Sequence, residues 1–97
     1  MLYVYVLPGC PYCKNTMNLV KKYKLKHKFI IVKPNDKLKY NKKHKMKTYP
    51  QVILNYDRKK IIIGGNNEFE KYIKLSNLIK KNNYNINVLD FILSMNN

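Results

Sequence analysis

Four residues limit this chain more than any others: Cys10-Pro11-Tyr12-Cys13, set between a short apolar run and an amphipathic one. The run before them, Leu2-Tyr3-Val4-Tyr5-Val6-Leu7, is rich in aromatic and β-branched residues and reads as a strand. Pro8-Gly9 marks a turn. Met17, Val20 and Tyr23 then recur from Cys13 at steps of three and four, the spacing of a helix with one apolar face. Pro11 suits the first helical position, where its missing N–H costs nothing. The motif therefore sits on a strand–turn–helix corner. Unpaired N–H groups and the positive end of the helix dipole favour an anion there, so Cys10 is expected as a thiolate nucleophile. Cys13, one turn on and facing inward, is the candidate resolving thiol.

Two structural uses of the cysteine pair fit less well. For zinc, Cys13 to His27 leaves thirteen residues between, which a finger accepts, but His27 to His44 leaves sixteen where three to five are wanted. With no third cysteine in the chain, no metal is expected. A disulfide closing so small a loop would constrain the unfolded chain little and staple the fold poorly. Redox chemistry is the expected use.

Cys10-Pro11-Tyr12-Cys13 after a short strand resembles the active site of the dithiol glutaredoxins. Two further stretches agree in order and approximate spacing. Thr48-Tyr49-Pro50, ahead of Gln51-Val52-Ile53-Leu54, is similar to the family's Thr-Val-Pro segment with its cis-proline. Gly64-Gly65-Asn66-Asn67, after Lys60-Ile61-Ile62-Ile63, is similar to the Gly-Gly turn that holds the γ-glutamyl end of glutathione. The resemblance implies a thioredoxin-like α/β fold, βαβαββαα, with a four-stranded mixed sheet in the order 2-1-3-4. It implies a glutathione-dependent thiol–disulfide oxidoreductase acting on protein disulfides and glutathionylated proteins, with a Cys10–Cys13 disulfide as its oxidised form. Glutathione would be the co-substrate, and glutathione reductase the indirect partner that restores it.

By the same resemblance, Tyr12, Lys47, Tyr49, Pro50, Gly65, Asn66 and Asn67 are the expected glutathione contacts. Pro50 in cis would expose the Tyr49 backbone to the cysteinyl part of glutathione. The Gly65-Asn66-Asn67 turn would offer N–H groups to a carboxylate. Tyr12 would flank the thiol, and Lys47 would add charge at the rim. Three positions depart from the family. Leu7 stands where a Lys or Arg usually helps hold the glycyl carboxylate. Asn67 stands at a frequent Asp or Thr and cannot pair with an ammonium, and Tyr49 replaces a smaller residue and is expected to narrow the groove. Pro11 beside Cys10 disfavours a glutathione-ligated iron–sulfur carrier. Two other readings stay open: a partner-specific redox protein, donating to ribonucleotide reductase or reduced by thioredoxin reductase, and a non-catalytic basic module.

That last reading rests on charge, since 20 basic residues stand against 5 acidic ones, a net +15. Such a field suits nucleic acid, an anionic membrane surface or an acidic partner. Yet Arg58 is the only arginine, and alanine is absent while lysine, asparagine, isoleucine and tyrosine abound. That is the mark of A/T-rich codons more than of a nucleic-acid surface, which favours arginine for bidentate contacts. Contact with nucleic acid is therefore expected to be weak and salt-sensitive. Residues 1–97 suffice for one small domain, expected as a monomer. The apolar start is too short and lacks the basic flank of a secretory signal, and no run is long enough to cross a bilayer. A cytoplasmic, reducing location is the expectation, without membrane attachment.

Farther along, Lys21 to Lys26 reads as a solvated basic turn, and Phe29-Ile30-Ile31-Val32 as a strand buried on both faces and parallel to the first. Lys33 to Asp36 is a turn whose Asn35 or Asp36 caps the next element. Lys37 to Lys47 is expected as a short basic helix with Leu38, Tyr40 and Met46 as its apolar stripe. His44 and His27 are expected at the surface. Gln51–Asn55 and Lys59–Ile63 form a hairpin through Tyr56-Asp57-Arg58. Asn67 and Glu70 resemble a capping box opening a helix whose buried face is Phe69, Tyr72, Ile73, Ser76 and Ile79. After Asn82-Asn83, a last helix with Asn87 as cap is expected, its apolar face formed by Val88, Phe91, Ile92 and Met95.

Overall fold

The computed structural model describes residues 1–81, with side chains to residue 78. The expected last helix, and Ile79 on the one before it, lie outside the described side chains. The elements in order are β1 (Leu2–Val6), α1 (Pro11–Lys22), β2 (His27–Ile31), a 3-10 turn (Pro34–Asp36), α2 (Lys37–His44), β3 (Gln51–Tyr56), β4 (Lys59–Gly64) and α3 (Asn66–Lys81). The four strands form one mixed sheet in the order β2-β1-β3-β4. β1 pairs parallel with β2, Val4 opposite Phe29, and antiparallel with β3, Val4 opposite Val52. β3 and β4 form an antiparallel hairpin whose two linking residues, Asp57 and Arg58, have φ of 49° and 64°. Two successive positive φ values match the twist of the strands they join.

β1 is central, which explains why its run of apolar side chains is almost wholly buried. Its side chains alternate between faces. Tyr5 points to α2, where its ring packs 4.8 Å from Tyr40 and 4.6 Å from His44. Val4 points the other way, into a core shared with Val20 of α1, Val52 of β3 and Phe69 of α3, all fully buried. α1 and α3 pack against each other, and α3 also covers β3 and β4. Burying a side chain as large as Phe69 is worth about 1.5–3 kcal/mol, so the start of α3 is anchored directly to the sheet.

Four expectations are corrected. The second strand is not buried on both faces. Among the described residues it is an edge strand with β1 as its one partner, it runs from His27 to Ile31, and Ile31 is 68% exposed. Val32, just past its end, is the buried residue, tied by its N–H to the Val6 carbonyl at 2.8 Å. In α2 the apolar stripe is not Leu38, which is 75% exposed, but Tyr40 together with His44. His44 is therefore not a surface residue; it is 4% exposed, and its Nδ1 donates to Gln51 Oε1 at 2.8 Å. The expected Asn67–Glu70 capping box is also replaced. The helix opens at Asn66, whose Nδ2 donates to Glu70 Oε1 at 3.4 Å.

Burial holds the His44 imidazole below its ordinary value of 6.5, against the opposing pull of its bond to Gln51. The unfolded chain thus takes up a proton near the ordinary value that the folded chain refuses. Stability is complete above that pH and falls as pH drops through it toward the lower folded value. Thermal midpoints should fall between about pH 7 and about pH 5, and His44→Gln should flatten that slope. A slope the same in both proteins would assign it to other groups.

Candidate active site

The site is built on the corner between β1 and α1. Gly9 has a φ of 74°, a left-handed turn that glycine adopts without strain, and it delivers the chain to Cys10 as the N-cap of α1. Pro11 takes the first helical position as expected. N-caps usually offer an oxygen to the helix's unpaired N–H groups. Here the cap atom is sulfur: Cys13 N–H donates to Cys10 Sγ at 3.3 Å. The helix end that would favour a thiolate is therefore aimed at that sulfur.

Both cysteines are free thiols, Cys10 half-buried and Cys13 2% exposed. Burial, reinforced by the Cys10 side chain, pushes the Cys13 thiol up to about 12. The pair is thus asymmetric: one sulfur reachable and bonded by a backbone donor, the other enclosed and held as a neutral thiol.

The Tyr49–Pro50 peptide bond is cis, as the resemblance implied. The Tyr49 carbonyl accepts from the Cys10 thiol at 3.8 Å, so this loop forms the wall beside the sulfur. The Tyr49 ring turns away: it is buried, and its hydroxyl donates to the Lys37 carbonyl at 3.4 Å. Its bulk is thus partly taken up by the core instead of all filling the groove. Gly65 sits against the same loop, where a Cβ would lie 3.6 Å from the Pro50 carbonyl oxygen.

Tyr12, Thr48, Tyr49, Gly65, Asn66 and Asn67 line one cleft of about 390 Å³. Five of the seven residues expected to hold glutathione meet there. Pro50 lies buried behind the wall, and Lys47 faces a neighbouring depression with Leu38, Lys42 and Lys45. The floor of the cleft is the start of α3, whose first-turn N–H groups have no partner within the helix. Glu68, which is not among the expected contacts, is also in the lining and brings a carboxylate to this floor.

No motif in the sequence marks what fixes that floor. Asn66 Oδ1 accepts from Thr16 Oγ1 at 2.9 Å and from Asn15 Nδ2 at 2.8 Å, and Asn15 Nδ2 also reaches Glu70 Oε1 at 2.9 Å. The Asn66 side chain is therefore turned inward to α1, leaving its backbone to the cleft. Thr16 follows Cys13 by three positions on the inward face of α1, the one signal that could have drawn attention to it. No three His, Cys, Asp or Glu side chains among the described residues converge to hold a metal ion.

The family model of glutaredoxin matches residues 2–58. Among solved structures, the solution structure of glutaredoxin from Brucella melitensis is similar in fold, with a TM-score of 0.64 at 20% sequence identity. The match covers 81% of this chain and 84% of that one. No curated protein matches the sequence.

Proposed function

The chain belongs to the glutaredoxin family of thiol–disulfide oxidoreductases, and from that premise we propose that it reduces protein disulfides and glutathionylated proteins with glutathione as co-substrate. One observation carries this reading. The Cys10 sulfur sits at a helix N-terminus, 3.3 Å from the Cys13 N–H and 3.8 Å from the Tyr49 carbonyl oxygen, beside a polar cleft floored by a second helix N-terminus.

A glutathione disulfide would lie with its sulfur at Cys10 and its γ-glutamyl carboxylate on the N–H groups at Gly65-Asn66-Asn67. Asn67 cannot pair with the γ-glutamyl ammonium, but the Glu68 carboxylate in the same lining can. Tyr12, 64% exposed, stands at the outer edge. For a glutathionylated protein, the Cys10 thiolate attacks the glutathione sulfur, and the protein leaves as a thiolate that takes up a proton. Glutathione is then held on Cys10 until a second glutathione thiolate attacks its sulfur, freeing Cys10 and leaving oxidised glutathione. For a protein disulfide, Cys10 forms the mixed disulfide. Cys13 then loses its proton and attacks the Cys10 sulfur, releasing the protein as a dithiol. The two electrons come from the Cys10–Cys13 pair, and two glutathione molecules restore it. Cys13 must lose its proton for that step, and burial opposes the loss, whereas the glutathione route asks nothing of Cys13. The proposed setting is the reducing cytoplasm, where glutathione reductase would recycle the oxidised glutathione.

The test is glutathione-coupled reduction of a mixed disulfide between glutathione and a small thiol, read as NADPH consumption with glutathione reductase present. Turnover supports the proposal. No turnover, with Cys10 still titrating as a thiol, points to a partner that bypasses glutathione. Leu7→Lys, restoring a cation three residues before Cys10, should lower the KM for glutathione about two- to fivefold, the worth of an exposed ion pair. An unchanged KM would show that Lys14 already fills that role.

A further inference from the structure

Cys10 borders two different environments. On the side away from the polar cleft, a groove of about 590 Å³ opens onto both cysteines and is walled by Leu7, Pro8, Met17 and Ile31. The charged side chain in its lining is Lys14. Its far wall is Ile31, exposed at the end of the edge strand β2. An exposed isoleucine is unremarkable alone. One that completes an apolar groove at a reactive sulfur is placed where a bound chain must pass.

We propose that this groove seats a large apolar side chain next to the disulfide cysteine of an acidic client polypeptide. The inference rests on the redox reading above and names the substrate class for it. A client segment bonded to Cys10 has the groove within reach, because Cys10 is part of its lining. Glutathione brings nothing apolar to it, since its cysteine is flanked by glycine and a γ-glutamyl group. A free carboxylate would be desolvated against Leu7 and Met17 with Lys14 alone to meet it. An apolar residue displaces water from the same walls at a gain. The acidic character follows from the net charge of +15, which favours the approach of an acidic client over a basic one, with its carboxylates outside the apolar groove.

The chemistry is that of the dithiol route. Cys10 bonds to the client cysteine beside the apolar residue and expels the other as a thiolate. Cys13 then closes the Cys10–Cys13 disulfide and frees the first. Two electrons pass to the client, and glutathione returns them.

The experiment uses two synthetic acidic peptides, each with one internal disulfide, that differ only in leucine or serine beside a cysteine. Their reduction by the protein is followed with glutathione, glutathione reductase and NADPH. The leucine peptide should show about tenfold higher kcat/KM, the low end for filling an apolar site, because the groove is open. Ile31→Asp, at a position exposed enough to leave the fold intact, should bring the leucine-to-serine ratio to about one, and Leu7→Ser should lower it. Equal rates for the two peptides in the native protein, or a ratio that survives both substitutions, would overturn the proposal while leaving the redox reading in place. A loss of peptide reduction with rising protein concentration that Ile31→Asp relieves would also overturn it, seating a second copy of this chain in the groove. If neither peptide nor the small glutathione mixed disulfide is reduced, the redox reading fails, and the groove proposal with it.

Discussion

Cys10→Ser should lower glutathione-coupled turnover by roughly a thousandfold or more, as expected for loss of a nucleophile, while Cys13→Ser stays within about threefold of the native rate on a glutathione mixed disulfide. Serine at position 10 can form no disulfide, so neither route begins. Serine at position 13 removes a thiol that burial keeps protonated up to about 12 and that the glutathione route does not need. It also leaves the local geometry in place, because the group bonded to Cys10 Sγ is the backbone N–H of residue 13 and not its side chain. Protein disulfides are the contrast: there Cys13→Ser should stall at the mixed disulfide. Equal losses in the two variants on the glutathione substrate would refute the division of roles.

The second large effect lies away from the sulfur. Asn66→Ala should cost about 2 kcal/mol, because it strips the acceptor from the fully buried Thr16 hydroxyl and one of the two acceptors from Asn15. For a domain of this size that is a fall of roughly 8–15 °C in thermal midpoint. The KM for glutathione should rise with it, since the first turn of α3 is both the floor of the cleft and the end released by the substitution. Adding Thr16→Val tests the cause. An orphaned hydroxyl is the costly part, so the double variant should recover part of the lost stability. A double variant no more stable than Asn66→Ala would show that the hydroxyl is not the source.

How much of this was legible in the chain follows the range of each interaction. Gly9, Cys10 and Pro11 announce a turn and a helix start by their own backbone preferences, and the corner lies where they place it. The hairpin is equally local: Asp57 and Arg58 leave just two residues between strands. What escaped depends on partners far along the chain. The apolar run at Phe29–Val32 fits a central strand as well as an edge strand, and only the sheet order decides. His44 looks like one more polar residue in a basic helix until Tyr5 and Gln51 close over it. Thr16 and Asn66 are 50 positions apart, and neither carries a motif that names the other. Lys47, expected at the rim of the glutathione cleft, faces the adjoining depression because the cleft wall starts one residue later, at Thr48. The cis bond before Pro50 was legible only through the family resemblance, since sequence alone does not distinguish it from the common trans form.

The most direct test of the central claim is to trap the intermediate. Cys13→Ser protein, mixed with a glutathione mixed disulfide and examined by intact mass spectrometry, should gain one glutathione, mapped by digestion to Cys10. Added reduced glutathione should remove it and yield oxidised glutathione in equal amount. A protein whose Cys10 titrates as a free thiol yet gains no glutathione, or whose adduct glutathione does not release, would contradict the account.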